Sequence, residues 1–311
     1  MATRRRMTIA SGSPLLAHLL VTLGLPRKAV KNLLKHGAIA VNGTTIRQFD
    51  HWLSPGDEIF VSDLQSAAAT NLLNTASIQR VYEDDALIVV DKPAGLLTVA
   101  TEHDKTDTLF CYLNDYLLGR DSTSTVRPVV VHRLDQGTSG LVMFAKSSVV
   151  KEQLQSNWPS VKKTYWAIVE GQPEDSQGTI TSYLTETKSL KVFSSKHPTQ
   201  GSQLATTHYR LLQSHDGLSL LEVRLGTGRK HQIRVQLAKL GHPVVGDRIY
   251  GATSNPCQRI ALHAVGLAFT HPVTGQPLSL LSPLPKPLAR LFPKFECKDT
   301  YVDDLVAWNP S

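Results

Sequence analysis

The segment Val129–Lys146, VVVHRLDQGTSGLVMFAK, constrains the fold more than any other stretch of the chain. A β-branched run leads in, a polar turn with two glycines follows, and a second apolar run leads out, which reads as strand, turn, strand. Pro128 stands just ahead of it, where a missing N–H costs a strand little. A turn of this kind holds a polar side chain on a rigid frame at the mouth of a sheet. Gly137 and Gly140 permit tight or left-handed backbone and close approach by a ligand. The candidate side chain is Asp135. On these residues alone two roles are open: a turn aspartate that, with Thr138 and Ser139, satisfies backbone donors, or a carboxylate presented for chemistry.

The surrounding sequence continues in β-rich runs. Strands are expected at Ala86–Asp91, Val129–Val131, Gly140–Ala145, Tyr165–Glu170, Thr206–Leu212, Leu218–Leu225 and Leu262–Phe269. Helices are expected at Asp107–Leu118, Val149–Trp158, Arg229–Leu240 and Pro285–Phe292. Strand-dominated mixed order predicts an α+β fold with a mixed, largely antiparallel sheet and flanking helices over 79–300. No repeat at a fixed period and no low-complexity tract is visible, and the tail after Pro293 is weakly patterned.

Residues 13–62 read as a small separate α/β unit. Ser13 and Pro14 look like a cap and first helical position. Leu15, Leu16, Leu19, Leu20 and Leu23 then share one helical face, and Gly24 can end that helix. Pro26 opens a second helix with Ala29, Val30, Leu33 and Leu34 as its apolar stripe, and Gly37 is a left-handed stop. Short extended pieces follow at Ala38–Val41, Thr44–Gln48 and Glu58–Val61, with a turn at Asn42-Gly43. The polar side of the second helix carries Arg27, Lys28, Lys31 and Lys35 with no interleaved acid, so their field has little local cancellation. A solvated helix face is the ordinary alternative. Residues 63–78, rich in Ala, Ser, Thr and Asn, read as a linker.

The whole chain carries 33 Lys and Arg against 26 Asp and Glu, a net charge of +7. That balance favours a polyanionic partner, because each neutralised phosphate releases counterions. Three cysteines, Cys111, Cys257 and Cys297, form no CxxC pair and suggest neither a zinc site nor a disulfide framework. No stretch approaches the length of a membrane span, and the basic start is not followed by a signal-type apolar run. The expectation is a cytoplasmic, monomeric chain without a membrane partner.

Two further segments carry chemistry-bearing residues. In Leu225–Gly251, Ile233, Leu237 and Leu240 are spaced as an inward helix face, and Lys230 and Arg234 share another. Arg234 adjoins the apolar stripe, where an arginine is costly without an anion; a phosphate or Asp135 would serve, and a snorkelling surface arginine is the alternative. In Lys162–Gly171, Tyr165 and Ala167 face one side of a strand and Trp166 and Ile168 the other. Tyr165 fits a stacking role on a base or a place in the core equally well.

Taken together, these segments resemble a known family. HRLDQGTSG is similar to the HRLD-x-x-TSG segment of the RluA-type pseudouridine synthases; GRKHQIRVQLAKLGHPVVGDRIYG, KKTYWAIVEG, IVVDKPAGL and LHAVGLAFTHPVTG resemble that family's other segments, in the family's order. The front resembles an S4 RNA-binding domain through the helix pair followed by HGAIAVNG and SPGDEIFV. Two departures stand out. Leu97-Thr98-Val99-Ala100 replaces a common Val-His-Pro stretch, and Gln236 stands where histidine is more usual.

The resemblance implies an isomerase that converts uridine in structured RNA to pseudouridine and needs neither cofactor nor metal. It implies Asp135 as the catalytic carboxylate, Arg133 as the residue that displaces the base, Tyr165 stacked on the flipped uracil and aiding proton transfer at C5, and Arg234 paired with Asp135, keeping it ionised. Arg27, Lys28, Lys31 and Lys35 would contact RNA. An appended S4-like unit points to large-subunit ribosomal RNA, with transfer RNA second. The competing readings are a non-catalytic RNA-binding assembly factor, and a hydrolase pairing Asp135 with Asp247 as a second carboxylate.

Overall fold

A computed structural model describes residues 5–35, 37–61, 72–102, 104–119, 125–187 and 191–295. The chain divides into two units, one of Met1–Ile78 with Phe110–Pro128, the other of Gln79–Leu109 with Val129–Ser311.

In the first unit, β1 (Arg5–Thr8) precedes α1 (Leu15–Leu23) and α2 (Arg27–Lys35), and β2 (Ile39–Val41), β3 (Thr44–Thr45) and β4 (Glu58–Val61) complete an antiparallel sheet in the order β1-β4-β2-β3. Ahead of residue 13, β1 pairs Arg5 with Val61 and Thr8 with Glu58. Leu15, Leu16 and Leu19 of α1 and Val30, Leu33 and Leu34 of α2 bury against Ile39, Val41, Ile59 and Val61. Each such side chain contributes about 1.5–3 kcal/mol by leaving water. Asn42 and Gly43 both have positive φ, as a two-residue hairpin turn requires.

The expected Ser13 cap does not form. Pro14 occupies the capping position with no side-chain bond, because Ser13 and Pro14 pair instead with Leu53 and Trp52. Arg27, Lys28 and Lys31 are exposed on α2, and Lys31 Nζ lies 5.5 Å from the centre of the Phe49 ring. The side chain of Lys35 lies outside the described residues. Of the expected linker, 62–71 lie outside them too; 72–75 form a helical turn that buries Leu73. The helix expected at Asp107–Leu118 runs as α3 (Leu109–Gly119).

The second unit is built on a sheet that has 11 strands among the described residues. Its strands are β5 (Gln79–Glu83), β6 (Leu87–Lys92), β7 (Ser139–Ala145), β8 (Lys162–Glu170), β9 (Gln177–Glu186), β10 (Val192–Ser195), β11 (Gln203–His215), β12 (Leu218–Leu225), β13 (Leu262–Thr270) and β14 (Pro277–Leu281), with the short pair Val129–Val130. The order runs β10-β9-β11-β12-β8-β13-β7-β6-β5, with β14 on β13 and Val129–Val130 on β7. Helix α4 (Ser148–Ser156) starts at Ser147, whose side chain accepts from Val150 N; α5 (Gln232–Lys239) and α6 (Lys286–Ala289) complete the unit.

The sheet is antiparallel except where β7 meets β13. Strands β7 and β13 are buried along nearly their whole length, which is why they read as continuous apolar runs. At their parallel contact Gly140 has φ +114°, and a Cβ there would lie 2.3 Å from Ala264 O. Only glycine allows that approach. Among the described residues, no helix is long and apolar enough to cross a membrane.

Candidate active site

Asp135 stands on the turn between Val129–Val130 and β7, strands that pair through Phe144 with Val130 and Ala145 with Val129. The turn is closed by its backbone, Thr138 N donating to Asp135 O at 3.1 Å. The carboxylate therefore does not cap the turn. Leu134, the residue before it, is gripped from both sides: Thr98 Oγ1 donates to Leu134 O at 2.8 Å and accepts from Leu134 N at 3.2 Å. Thr98 belongs to the stretch that departs from the family pattern, so this chain supplies a threonine hydroxyl there as a brace. On the far side, Gln136 O accepts from Gly95 N at 2.8 Å and from the buried Lys92 Nζ at 3.3 Å. Lys92 also donates to Pro93 O and Leu96 O. Burial, reinforced by Arg259, draws its pKa down to about 7.

The loop leading into α5 is folded by one glutamine. Gln232 Oε1 accepts from Thr227 Oγ1 and Arg229 N, and its amide donates to Thr206 O and Thr207 Oγ1. With both ends satisfied, this polar side chain can be fully buried. The expected amphipathic pattern of this helix does not hold. Residues 232–237 are all buried, Leu240 is exposed, and the helix begins at Gln232, leaving Lys230 outside it, paired with Glu186. The helix's buried polar side chains bond to distant segments, although Gln236 Oε1 has no partner among the described residues. Gln236 donates to Ser182 Oγ at 2.8 Å and Ala205 O at 3.0 Å.

Arg234 is the centre of the arrangement. Its Nε and Nη2 hold the two oxygens of Asp247 at 2.6 and 3.0 Å, and its Nη1 reaches Asp135 Oδ2 at 3.1 Å. The arginine side chain is 4% exposed and that of Asp247 is 1%. A buried guanidinium needs such compensation. Burial alone would lower its pKa, but the bonds to Asp247 and the field of both aspartates raise it above the ordinary arginine value. Asp247 comes from the segment after α5, fixed by Val245 N bonding Ile168 O on β8 and by Asp247 N bonding Val244 O. The sequence leaves a phosphate or Asp135 open as Arg234's partner, the family resemblance implies Asp135, and Asp247 stands as a possible second catalytic carboxylate. The structure makes Asp247 the arginine's main anchor.

A tight cavity of about 90 Å³ opens beside Asp135, bordered by Arg133, Tyr165, His231 and Arg234. The four residues singled out in the sequence thus meet at one place. Arg133 is exposed and makes no hydrogen bond or ion pair with the described residues. Tyr165 presents its ring from β8, its hydroxyl bonded to none of the described residues, and burial, helped by Asp135, raises its pKa far above the ordinary phenol. A wider cleft of about 790 Å³ continues from Asp135 past Lys191, Lys230 and Ile249. Sequence reading missed His231, Tyr250 and Lys92; the only signal was their place inside the segments that resemble the family. No group of His, Cys, Asp and Glu among the described residues is placed to hold a metal ion.

Comparison with known proteins identifies the chain's relatives. Residues 86–239 match the family model described as RNA pseudouridylate synthase. An uncharacterised RNA pseudouridine synthase of Bacillus subtilis is 33% identical over 291 residues, covering 90% of this chain and 92% of that protein. The ribosomal large subunit pseudouridine synthase D of Zymomonas mobilis is 31% identical, covering 86% and 89%. Among solved structures, human RNA pseudouridylate synthase domain containing 4 superposes with a TM-score of 0.60 at 23% identity, over 73% of this chain and 95% of that one, a likeness of fold. Similarity of this extent, over nearly the whole chain, makes it a member of the RNA pseudouridine synthase family, isomerases that act on RNA.

Proposed function

We propose that this pseudouridine synthase modifies large-subunit ribosomal RNA, with Asp135 as its catalytic carboxylate. The single observation that supports the chemistry is that Asp135 alone among the described residues bordering the two cavities carries a carboxylate, and Arg234 holds it by one oxygen. In the reaction the N1–C1′ bond of uridine breaks, the base turns, and C5 bonds to C1′. A proton leaves C5 and one is gained at N1, so nothing is consumed and neither cofactor nor metal is required. Asp135 meets the sugar, attacking C1′ or taking a sugar proton. A stacked base is out of reach, so the nucleotide is flipped into the cavity. Arg133, unpaired at the mouth, displaces the base and fills its place. Tyr165 stacks on the uracil and aids the proton transfer at C5; burial and the nearby Asp135 raise its phenol above the ordinary pKa.

Residues 13–62 act as an S4-like RNA-binding domain, joined through 63–78 to a catalytic domain over 79–300. Exposed Arg27, Lys28 and Lys31 support this, and Lys35 belongs to the same proposed RNA-binding set. The target RNA rests on the name of the Zymomonas relative. The chain works as a monomer. Two measurements test the reading. Asp135→Asn abolishes conversion while RNA binding stays within about 2-fold, a difference of roughly 0.4 kcal/mol; substantial residual pseudouridine refutes the role of Asp135. Mapping pseudouridines in a strain lacking the gene shows loss in large-subunit ribosomal RNA; loss confined to transfer RNA refutes the target.

A further inference from the structure

His231 occupies the capping position of α5 with φ +55°, a left-handed conformation uncommon for histidine. Its Nδ1 lies 2.8 Å from the Tyr250 hydroxyl, and that hydroxyl accepts Val192 N–H at 3.2 Å. Among the described residues no other acceptor faces the Tyr250 hydroxyl, so the phenolic proton goes to His231 Nδ1. The proton on the ring therefore sits on Nε2. That nitrogen faces Asp135 Oδ2 at 3.8 Å, the same oxygen that Arg234 Nη1 holds at 3.1 Å. Oδ1 of Asp135 has no hydrogen-bond partner among the described residues. Tyr250 is itself fixed, with the Arg234 guanidinium carbon 5.1 Å from its ring centre. Burial holds His231 below and Tyr250 above their ordinary pKa values, which favours the neutral pair.

We propose that His231 is a positioning residue. Oriented by Tyr250, its Nε2–H joins Arg234 in engaging Oδ2 of Asp135 and leaves Oδ1 as the oxygen that meets the sugar. The 3.8 Å gap closes when the bound nucleotide draws the carboxylate inward, as catalytic hydrogen bonds commonly tighten in the complex. The inference rests on the reading of Asp135 as the reacting group.

The side chain of glutamine places an N–H near the position of histidine Nε2, and asparagine near Nδ1. Left-handed backbone favours asparagine over glutamine. The two possible roles of His231 therefore call for opposite substitutes. Single-turnover conversion and RNA affinity are measured for His231→Gln, His231→Asn, His231→Ala, Tyr250→Phe and Tyr250→Phe with His231→Ala. We expect His231→Ala and His231→Asn to slow conversion on the order of 10–100-fold, the scale of a misplaced reacting group, with RNA affinity unchanged. His231→Gln recovers much of that loss. Tyr250→Phe slows the wild type and adds nothing to His231→Ala. Better recovery with asparagine than with glutamine overturns the proposal, as does a rate loss matched by lost RNA affinity. Should His231→Gln fail to fold, the tyrosine pair decides: wild-type rate in Tyr250→Phe overturns it. Asp135→Asn in the same assay separates the two readings, because conversion by that variant sinks the role of Asp135 itself, whereas an inert Asp135→Asn with asparagine rescue sinks only the role of His231.

Discussion

Replacing Asp247 with alanine is the sharpest test of how the site is held. The substitution removes the partner of Nε and Nη2 of Arg234, bonds of 2.6 and 3.0 Å, and leaves a guanidinium that is 4% exposed with Asp135 as its remaining carboxylate. Breaking a buried ion pair by deleting one member costs about 3–5 kcal/mol, because the other charge stays desolvated. For a unit of this size each kcal/mol lowers the midpoint by roughly 2–4 °C, so a fall of about 10 °C is expected. The freed guanidinium swings towards the space Asp247 left, drawing Nη1 from Asp135, and single-turnover conversion falls about 100-fold, the scale for a reacting group displaced by about 1 Å. Thermal unfolding and single-turnover rate are measured on the same preparation. A second variant separates the two effects. Arg234→Met with Asp247→Leu deletes both charges, which is often neutral or better for stability, so the midpoint recovers while the rate does not. An Asp247→Ala protein with wild-type midpoint and rate refutes the anchoring role. A normal rate with a lowered midpoint refutes the link from Asp247 through Arg234 to Asp135.

Three further outcomes are expected. His263 is wholly buried, with Nδ1 2.9 Å from Ser139 Oγ and Nε2 3.2 Å from Ser282 O, and burial draws its pKa from 6.5 to about 4. The unfolded chain takes up that proton near pH 6.5 and the folded chain only near pH 4, so stability is full above the first value and falls by about 3 kcal/mol towards the second; chemical unfolding of His263→Gln across that range shows a shallower slope, and an unchanged slope counts against the assignment. Gly140→Ala places a methyl 2.3 Å from Ala264 O at a φ of +114°, and unfolding measurements should show a loss of about 4 kcal/mol or no folded protein at all, whereas near-native stability contradicts the close approach. Lys31→Ala weakens RNA binding evenly across sequences and lowers the salt dependence of affinity by about one counterion; an unaltered salt slope removes Lys31 from the RNA surface.

Much of this was legible in the sequence because local pattern and burial agree. Strands such as β7, β8 and β13 are buried over most of their length and carry long apolar runs, which announce them. The turn that carries Asp135 was readable for the same reason, being bounded by two such runs. Strands β9, β10 and β14 were not, since Gln177–Glu186 mixes exposed polar residues with few buried ones and draws its place from its neighbours in the sheet. Helix α5 misled in the opposite sense. Its polar residues Gln232, Arg234 and Gln236 imply an outer face, yet each is buried against partners from distant strands or from Asp247. Periodicity detects where water is, and here buried hydrogen bonds replace water. The pairing of Arg234 with Asp247 across 13 positions was hidden likewise, because carboxylates at such spacings are common and only the backbone path of Val244–Asp247 selects one.

That pairing also bears on the chemistry. Hydrolysis of a sugar–base bond normally uses two carboxylates, one to protonate and one to attack or to activate water. Both oxygens of Asp247 are taken by Arg234 and its side chain is 1% exposed, so it can serve neither role. On the proposed reading Asp135 acts alone on the sugar, and among the described residues no second carboxylate borders the cavities to activate water. The same proposal has the detached uracil held against Tyr165 and rebonded through C5. Burying Arg234 is costly, yet Asp247 offsets that cost away from the reacting atoms, and Nη1 remains free to fix one oxygen of Asp135. The same aspartate that anchors Arg234 is thereby withdrawn from service as a second, hydrolytic carboxylate.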